Sequence, residues 1–259
     1  MQLLFWNAYQ KPNNKMIKGL LSENDIDIAI LAEYVPTAIK KIADEIHYRW
    51  YDGNGGCDKV TLLAKEGITI IIRREQDRYT IYDCSIGDRR YTIAGIHNYD
   101  RISHPMSSSR LMNNVRLVSD IEEAEKQHGT RNTIIIGDFN DNPFDESIIA
   151  KESLNATIFK SVALSGRSMI HNGKERKQFY NPILQLLRDE AGKRGSIYNA
   201  GGDATLFWNC FDQILFRKEL INSYVGMKYC TEVYGASLMA RVRPNTKYSD
   251  HLPLIATFL

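Results

Sequence analysis

The stretch NTIIIGDFNDNP, residues 132–143, carries three consecutive isoleucines directly into an aspartate and an asparagine. Side chains at positions i and i+2 of a strand point to the same side. We therefore expect Asp138 and Asn140 to emerge on one face, provided that the extended conformation continues past Gly137. A strand that ends in a carboxylate and a carboxamide is a natural way to build a polar site.

Other apolar runs of the sequence also begin or end with a polar side chain. The set comprises Asn7 after LLFW, Glu33 after IDIAILA, His97 after YTIAGI, Asp212 before QILF, and Asp250 and His251 before LPLIATF. Taken singly, each has an ordinary structural explanation, because asparagine and aspartate are common in turns and caps. Together with Asp138 and Asn140, they favour one functional site over a series of unrelated turns.

Short runs rich in β-branched and aromatic residues predict the strands that position these side chains. They cover residues 3–6, 26–31, 60–64, 68–72, 79–83, 91–96, 133–136, 211–216 and 252–258. Amphipathic stretches predict helices over residues 16–22, 36–46, 107–128 and 181–191. For the longest helix, we expect a serine among residues 107–109 to be the N-cap and Gly129 to end the helix. This order of elements predicts mixed sheets flanked by helices.

The composition is that of an ordinary globular protein, with 43% hydrophobic residues, 25% charged residues and a net charge of +2 over 259 residues. No linker or repeat divides the chain, so we predict one domain over residues 1–259, with a basic insertion at about 160–203. Residues 160–195 carry a net charge of +5, and Arg241, Arg243 and Lys247 form a second basic group. Both groups are either solvated surface or the rim of a phosphate-binding cleft.

The four cysteines show no close spacing, which favours reduced thiols over a disulfide framework. The N-terminal residues do not resemble a signal peptide, and no apolar run is long enough to span a bilayer. We therefore expect a cytoplasmic protein without a membrane partner. No feature of the sequence implies an obligate protein partner.

The order of the polar residues resembles that of the endonuclease/exonuclease/phosphatase superfamily, the DNase I-like proteins. The matching positions are Asn7, Glu33, His97, GDFN at 137–140, Asp212 and SDH at 249–251. GDFN alone is moderately specific and SDH alone is weak, but the ordered set spans nearly the whole chain. The resemblance implies an α+β fold, a four-layer sandwich of two mixed β-sheets packed face to face with helices on the outer faces. It points to bacterial-type members of unknown substrate.

The resemblance also implies a metal site. Glu33 would be the principal ligand of Mg²⁺, with Asn7 beside it and Asp250 contributing directly or through water. Mg²⁺ prefers oxygen ligands and retains several waters, so one or two carboxylates suffice. Mn²⁺ is the expected substitute.

Catalytic roles follow from the same resemblance. Asp212 would orient His251, which contacts the scissile phosphate or activates water. Asp138 would orient or deprotonate the attacking water, Asn140 would hold a phosphate oxygen, and His97 would donate to the phosphate or the leaving group. Repair nucleases of the exonuclease III type tend to have tyrosine at the position of His97. This departure makes base-excision repair a less favoured function.

Four further residues are candidates for substrate binding. Arg110 matches a recurrent arginine of the superfamily, and Tyr99, Arg101 and Trp208 lie close in sequence to the predicted site. Aromatic and arginine side chains can stack on bases and bind phosphates, although core edge and lid are equally ordinary positions for them.

The complete set of residues predicts a Mg²⁺-dependent phosphodiester hydrolase, and nucleic acid, DNA or RNA, is the favoured substrate. The alternative is a phosphatase or phospholipase-type phosphodiesterase of the same superfamily that acts on a small phosphorylated molecule or a lipid head group. A non-catalytic binding module is disfavoured, because catalytically inactive members usually lose site residues.

Overall fold

A computed structural model of the protein describes residues 1–166, 169–171, 173–186, 195–201 and 206–259. The helices are α1 (Asn14–Glu23), α2 (Pro36–Ile46), α3 (Ser107–His128), α4 (Glu146–Ile149) and α5 (Lys160–Leu164), with 3₁₀ turns at Pro182–Gln185 and Lys218–Leu220.

The longer strands alternate with many short ones. They are β1 (Gln2–Asn7), β2 (Ile28–Ala32), β3 (Tyr48–Tyr51), β4 (Val60–Lys65), β5 (Thr69–Gln76), β6 (Tyr79–Ile86), β7 (Arg89–His97), β8 (Thr133–Asp138), β9 (Ala156–Thr157), β10 (Met169–His171), β11 (Lys174–Arg176), β12 (Phe179–Tyr180), β13 (Ile197–Tyr198), β14 (Trp208–Asn209), β15 (Asp212–Phe216), β16 (Tyr224–Tyr229), β17 (Glu232–Val233), β18 (Ala236–Ser237), β19 (Met239–Ala240), β20 (Arg243–Pro244) and β21 (Leu254–Phe258).

Within the described parts of the chain, two large mixed sheets contain most of these strands. The first has the order β16–β21–β1–β2–β4–β3, and the second has the order β5–β6–β7–β8–β15–β12–β9. In the first sheet β1 and β2 are parallel, and in the second β7 and β8 are parallel. The carboxyl ends of parallel neighbours meet at one edge of a sheet, so each sheet brings two strand ends together.

The two sheets pack face to face around the larger of two hydrophobic clusters. Leu3 and Ile30 of the first sheet share this cluster with Ile134 and Ile136 of the second. The alternate residue, Ile135, belongs to a second cluster beneath α3. Because β8 is buried on both faces, its sequence is continuously apolar rather than alternating.

Helices cover the outer faces of both sheets. Leu20 of α1 and Ile39 of α2 belong to the larger cluster together with residues of the first sheet. Leu117 and Ile121 of α3 belong to the second cluster, together with residues of the second sheet. The architecture is therefore the expected four-layer α+β sandwich.

The structure corrects several local predictions. Each predicted strand is present, but the longer strands β3 and β16 and the strands of two or three residues were not predicted from the sequence. Helix α3 ends at Gly129, which has φ 69° as expected, but its N-cap is Met106, without a capping side chain, rather than a serine. The helix predicted over 181–191 is a 3₁₀ turn at Pro182–Gln185, and its residues 187–191 lie outside the described residues. No helix in the described ranges is long and apolar enough to cross a membrane.

Candidate active site

The sequence-predicted polar residues converge at one end of the sandwich. Asn7 is the last residue of β1, and Glu33 follows β2, its parallel neighbour. In the second sheet, His97 and Asp138 end the parallel pair β7 and β8 and lie opposite each other in register. Asp212 begins β15, which is antiparallel to β8, and so it also lies opposite Asp138. The topology therefore places residues that are far apart in sequence side by side.

A polar contact network joins the two sheets at this end. The Asn7 amide Nδ2 donates to Glu33 Oε1 at 3.1 Å and lies 3.3 Å from Asp138 Oδ2. His97 Nε2 is 3.5 Å from Glu33 Oε1 and 3.8 Å from Asp138 Oδ2. Its other ring nitrogen, Nδ1, is buried and has no hydrogen-bond partner among the described residues. Glu33 itself has φ 46°, a left-handed conformation that is uncommon for glutamate.

His251 and Asp212 form the tightest contact of the site. His251 Nδ1 lies 2.7 Å from Asp212 Oδ2, while Nε2 lies 3.8 Å from Asp138 Oδ2. Burial lowers the pKa of His251, but the carboxylates of Asp212, Asp138 and Asp250 outweigh burial and raise it to about 10. Burial raises the pKa of Asp212, against the influence of His251. The imidazole is thus held by a carboxylate on one side, with its second nitrogen directed toward Asp138.

The backbone around His251 is fixed from the first sheet. The Ser249 hydroxyl donates to the carbonyl of Asn7 at 2.7 Å and accepts from the His251 amide at 3.0 Å. The Trp6 indole donates to the His251 carbonyl at 3.0 Å. These contacts tie the segment before β21 to the end of β1.

The geometry at Asn140 differs from the sequence prediction. The extended conformation ends before Asn140, which has φ 52° and donates its backbone N–H to Asp138 Oδ1 at 2.8 Å. Its side-chain amide donates to the Asn98 carbonyl at 3.1 Å. Asparagine tolerates this left-handed conformation better than most residues. The argument from strand alternation was therefore wrong, although Asn140 remains beside Asp138 through a turn.

The inner site contains four carboxylates, those of Glu33, Asp138, Asp212 and Asp250. Asp250 Oδ1 is buried without a hydrogen-bond partner in the described part of the chain, and burial raises the pKa of Asp250. Buried like charges are costly unless a cation balances them. The oxygen-rich donor set fits a hard divalent cation such as Mg²⁺.

Among the described residues, one grouping of these side chains is compact enough to hold such an ion as it stands. One ligand atom each of Asp138, Asp212 and His251 lies within 4.8 Å of the others. However, the 2.7 Å contact already engages His251 Nδ1 with Asp212 Oδ2. The oxygens of Glu33, Asp138 and Asp250 are not engaged in this pair, so the Glu33 side of the site is the better candidate metal centre.

The structure places Arg110 in the interior, where its hydrogen bonds are with protein groups. It is 3% exposed, donates from Nε to Asp141 Oδ1 at 2.8 Å and donates from Nη1 to the His104 carbonyl. Asp141 also accepts from the Ser147 hydroxyl, and burial raises its pKa despite these partners. Arg110 therefore supports the loop that follows β8.

We expect Arg110→Ala to lower the free energy of unfolding by about 3 kcal/mol, because it breaks a buried ion pair. Urea denaturation measures this loss, and Arg116→Ala, an exposed position on α3, is the matched control. If Arg110→Ala instead retained wild-type stability and raised KM, the substrate-binding prediction for this residue would be supported.

The other predicted substrate-binding residues lie closer to the surface. Arg101 donates from Nε to the Asn140 carbonyl at 2.7 Å, so at least part of its role is to hold the Asn140 turn. The Tyr99 ring lies 4.2 Å from the Arg78 guanidinium. Trp208 of β14 packs edge-on against Tyr198 of β13, whose neighbour Ile197 bridges to His251. Tyr99 and Trp208 thus remain candidates at the rim.

Sequence reasoning missed a group of residues beside Glu33 and His97. These are Lys59 and Arg78, which line a cavity of about 430 Å³ that adjoins the site and that Glu33 and His97 also line. Arg78 is placed there by the turn between β5 and β6 and by the hydrogen bond from the His97 amide to its carbonyl. No local motif in the sequence marks these positions.

The described part of the first basic group near Lys177 and the second basic group lie at different ends of the second sheet. The Lys177 carbonyl accepts from Arg217 Nη1, and Arg217 follows β15 at the end opposite Asp212. The part of the basic insertion near Lys177 is therefore remote from the site and does not flank it. In contrast, the segment with Arg243 in β20 lies close to β13, whose Ile197 pairs with His251.

Comparison with solved structures shows that the described geometry is a DNase I-like fold. D. rerio TDP2 complexed with single strand DNA product aligns with a TM-score of 0.61 and 15% identity, covering 100% of this chain and 98% of that chain. An AP endonuclease from Archaeoglobus fulgidus aligns with a TM-score of 0.58 and 14% identity, covering 100% and 99%. The endonuclease domain of TRAS1, a telomere-specific non-LTR retrotransposon, gives 0.55 and 10%, covering 99% and 97%.

These identities are low, so the likeness establishes the fold. No family model matches the sequence. A search of curated proteins finds no match either.

Proposed function

We propose that the protein is a divalent-metal-dependent phosphodiester hydrolase that acts on nucleic acid. The observation that carries this proposal is the junction of Glu33 and Asp138 with the His251–Asp212 pair at one end of the sandwich. The likeness to structures described as nucleases or as bound to DNA adds support.

Glu33 would hold the metal ion, with Asn7 beside it and Asp250 as a further oxygen donor. Mg²⁺ suits this donor set, and Mn²⁺ is the expected substitute. When bound, the ion supplies neutralisation of negative charge on the phosphate.

The chain's own residues supply the remaining steps. Asp138 would accept a hydrogen bond from the attacking water and remove its proton; its Oδ2 lies 3.8 Å from both His97 Nε2 and His251 Nε2, which supports a role at the reacting centre. His251, fixed through Nδ1 by Asp212, donates from Nε2 to a phosphate oxygen. His97 donates to the phosphate or the leaving oxygen from the other side of Asp138. Donors held in place before the reaction stabilise charge as it develops.

Nucleic acid is the favoured substrate because of the residues around the site. Tyr99 with Arg78, and Trp208 with Tyr198, provide aromatic surfaces on which bases can stack. The basic segment with Arg241, Arg243 and Lys247 provides contacts to backbone phosphates.

A small phosphorylated molecule is the second candidate substrate, which would make the protein a phosphatase or phospholipase-type enzyme. The cavity of about 430 Å³ beside Glu33 and His97 favours it, because this volume is that of a small-molecule site. The remote position of Lys177 also removes part of the basic track expected for a polyanion.

We expect the protein to release acid-soluble nucleotides from DNA or RNA in Mg²⁺, to lose this activity in EDTA, and to regain it when Mg²⁺ or Mn²⁺ is restored. The same preparation is assayed on a small chromogenic phosphodiester and on phosphorylated inositols and lysophospholipids. Hydrolysis of the small substrates without degradation of nucleic acid would select the second candidate. Inertness on all of them with retained metal binding would indicate a binding module and contradict the proposal.

A further inference from the structure

A second pocket lies at the end of the second sheet opposite the candidate active site. It has a volume of about 80 Å³, and its walls include Arg131, Lys177, Arg217 and Lys218. Arg217 directly follows β15, whereas Asp212 begins it. At about 3.3 Å per residue, the strand separates the two sites by roughly 15 Å. The pocket is therefore not an extension of the catalytic cleft.

Arg217 is built into the floor of this pocket. It is 1% exposed, its Nε donates to Glu125 Oε1 at 2.9 Å, and its Nη1 donates to the Lys177 carbonyl at 2.9 Å. The guanidinium lies 3.8 Å from the centre of the Phe179 ring. Its remaining nitrogen, Nη2, is buried and has no hydrogen-bond partner among the residues described. A buried charged donor without an acceptor is costly, and native structures normally satisfy it.

Unlike Arg217, which is paired with Glu125, the other three cations of the pocket have no ionic partner among the described residues. No carboxylate of the described residues lies within 4 Å of the charged nitrogens of Arg131, Lys177 or Lys218, although Glu175 and Glu219 also line the walls. The four cations outnumber these two acids, and Glu125, behind Arg217, balances only one of them. The pocket therefore has an excess of positive charge that no group in the described part of the chain neutralises.

Gly166 makes room for one of these cations. It has φ +61°, and a Cβ placed on it would lie 2.7 Å from Lys218 Nζ. The Lys218 ammonium group therefore lies close to the position that the Cβ of any other residue type at 166 would occupy. The absence of a Cβ at Gly166 thus leaves room for the Lys218 ammonium group at the pocket wall.

We propose that this pocket binds a phosphate group. A phosphate offers several strong acceptor oxygens, which match a buried guanidinium with an unsatisfied N–H and flanking ammonium groups. The small volume admits one such group rather than a whole nucleotide. The ligand is either free phosphate or a phosphate carried by a nucleotide or polynucleotide, and the proposal does not depend on the activity of the other site.

The test is a titration of the metal-free protein with inorganic phosphate at constant ionic strength, followed by NMR at the backbone amides of Gly166, Arg217 and Lys218. EDTA removes metal-dependent phosphate binding at the Glu33 site. We expect saturable shifts at these amides. The double variant Lys177→Gln with Lys218→Gln should weaken the affinity about tenfold, because charge-assisted hydrogen bonds are lost.

The matched control is Lys40→Gln with Lys41→Gln, which removes the same charge from exposed positions on α2. It should leave the phosphate affinity unchanged. A second variant, Gly166→Ala, keeps every charge but displaces Lys218 Nζ, and it should also weaken binding. Shifts that do not saturate, or an affinity that Lys177→Gln with Lys218→Gln alters no more than the control does, would overturn the proposal.

A competition experiment identifies the source of the phosphate. If a short single-stranded oligonucleotide without terminal phosphate displaces inorganic phosphate from the Gly166 and Lys218 amides, the pocket binds a backbone phosphate. If only free phosphate and mononucleotides produce the shifts, the pocket binds a small anion. The result is independent of whether the protein hydrolyses nucleic acid, so failure here and failure of the proposed function are distinguishable.

Discussion

Replacing Glu33 with glutamine is expected to lower kcat roughly 10³-fold at saturating Mg²⁺, equivalent to about 4 kcal/mol of transition-state stabilisation. The substitution keeps the size of the side chain and removes the charge that would bind the metal. Because Glu33 lies near Asp138 and Asp250, removing one like charge should leave thermal stability of the metal-free protein unchanged or higher. Steady-state hydrolysis of a phosphodiester, with thermal unfolding in parallel, measures both effects.

Glu66→Gln is the matched control for this substitution. Glu66 is exposed and follows β4 at the end that pairs with the start of β2, away from Glu33. It should leave kcat and the Mg²⁺ requirement unchanged. Retention of most of kcat by Glu33→Gln would show that the metal centre lies elsewhere.

Asp212→Asn and His251→Ala should each lower kcat severely, by roughly 10³-fold for the histidine, and the double variant should be little worse than His251→Ala alone. The reason is the 2.7 Å contact between His251 Nδ1 and Asp212 Oδ2, through which the carboxylate acts on the imidazole. A double-mutant cycle on kcat and kcat/KM measures the coupling. Fully additive losses would show that the two residues act separately.

A second buried imidazole–carboxylate pair provides the control for this cycle. His128 Nδ1 lies 3.2 Å from Asp83 Oδ2, and Asp83 pairs in register with Thr92, in the half of β7 away from His97. Asp83→Asn and His128→Ala should lower stability and leave kcat unchanged. Loss of activity there would indicate that the effect of the first cycle reflects folding.

Much of the fold was predictable because its central strands are buried on both faces. The IIIG run of β8 and the IAILA run of β2 contain no polar residue, so each strand appears in the sequence as a continuous apolar run. Edge strands lack this signal. β3 and β16 each lie at an edge of the first sheet and are largely half-buried or exposed, so neither forms a continuous apolar run.

The partition of strands between sheets was not predictable from local sequence. β4 and β5 are separated by a short turn, as in a hairpin, yet they belong to different sheets. Only the long-range pairing of β4 with β2, and of β5 with β6, separates them. This information resides in packing rather than in the periodicity of either strand.

The inner site was predictable as a set of residue types in order, since the structure brings Asn7, Glu33, His97, Asp138 and the His251–Asp212 pair together. The position of Arg110 was not predictable, because a match in residue type does not reveal that its partner is the buried Asp141.

The distribution of charge along the sequence likewise did not predict where the basic residues lie relative to the candidate active site. Lys177 lies at the far end of the sheet because β12 pairs with the last residue of β15, Tyr180 opposite Phe216. The net charge of residues 160–195 does not predict that strand pairing. A charged segment can be assigned to a cleft only once its register against the site is known.

The central claim is that the Glu33 side of the cluster is a divalent metal centre. Anomalous diffraction from crystals soaked in Mn²⁺ tests it most directly, since Mn²⁺ shares the oxygen-ligand preference of Mg²⁺ and scatters anomalously. The account predicts a single strong peak at roughly 2.2 Å from a Glu33 carboxylate oxygen, with the 2.7 Å contact between His251 and Asp212 intact. A peak bound instead by Asp138, Asp212 and His251 with that contact broken, or no peak near Glu33, would contradict it.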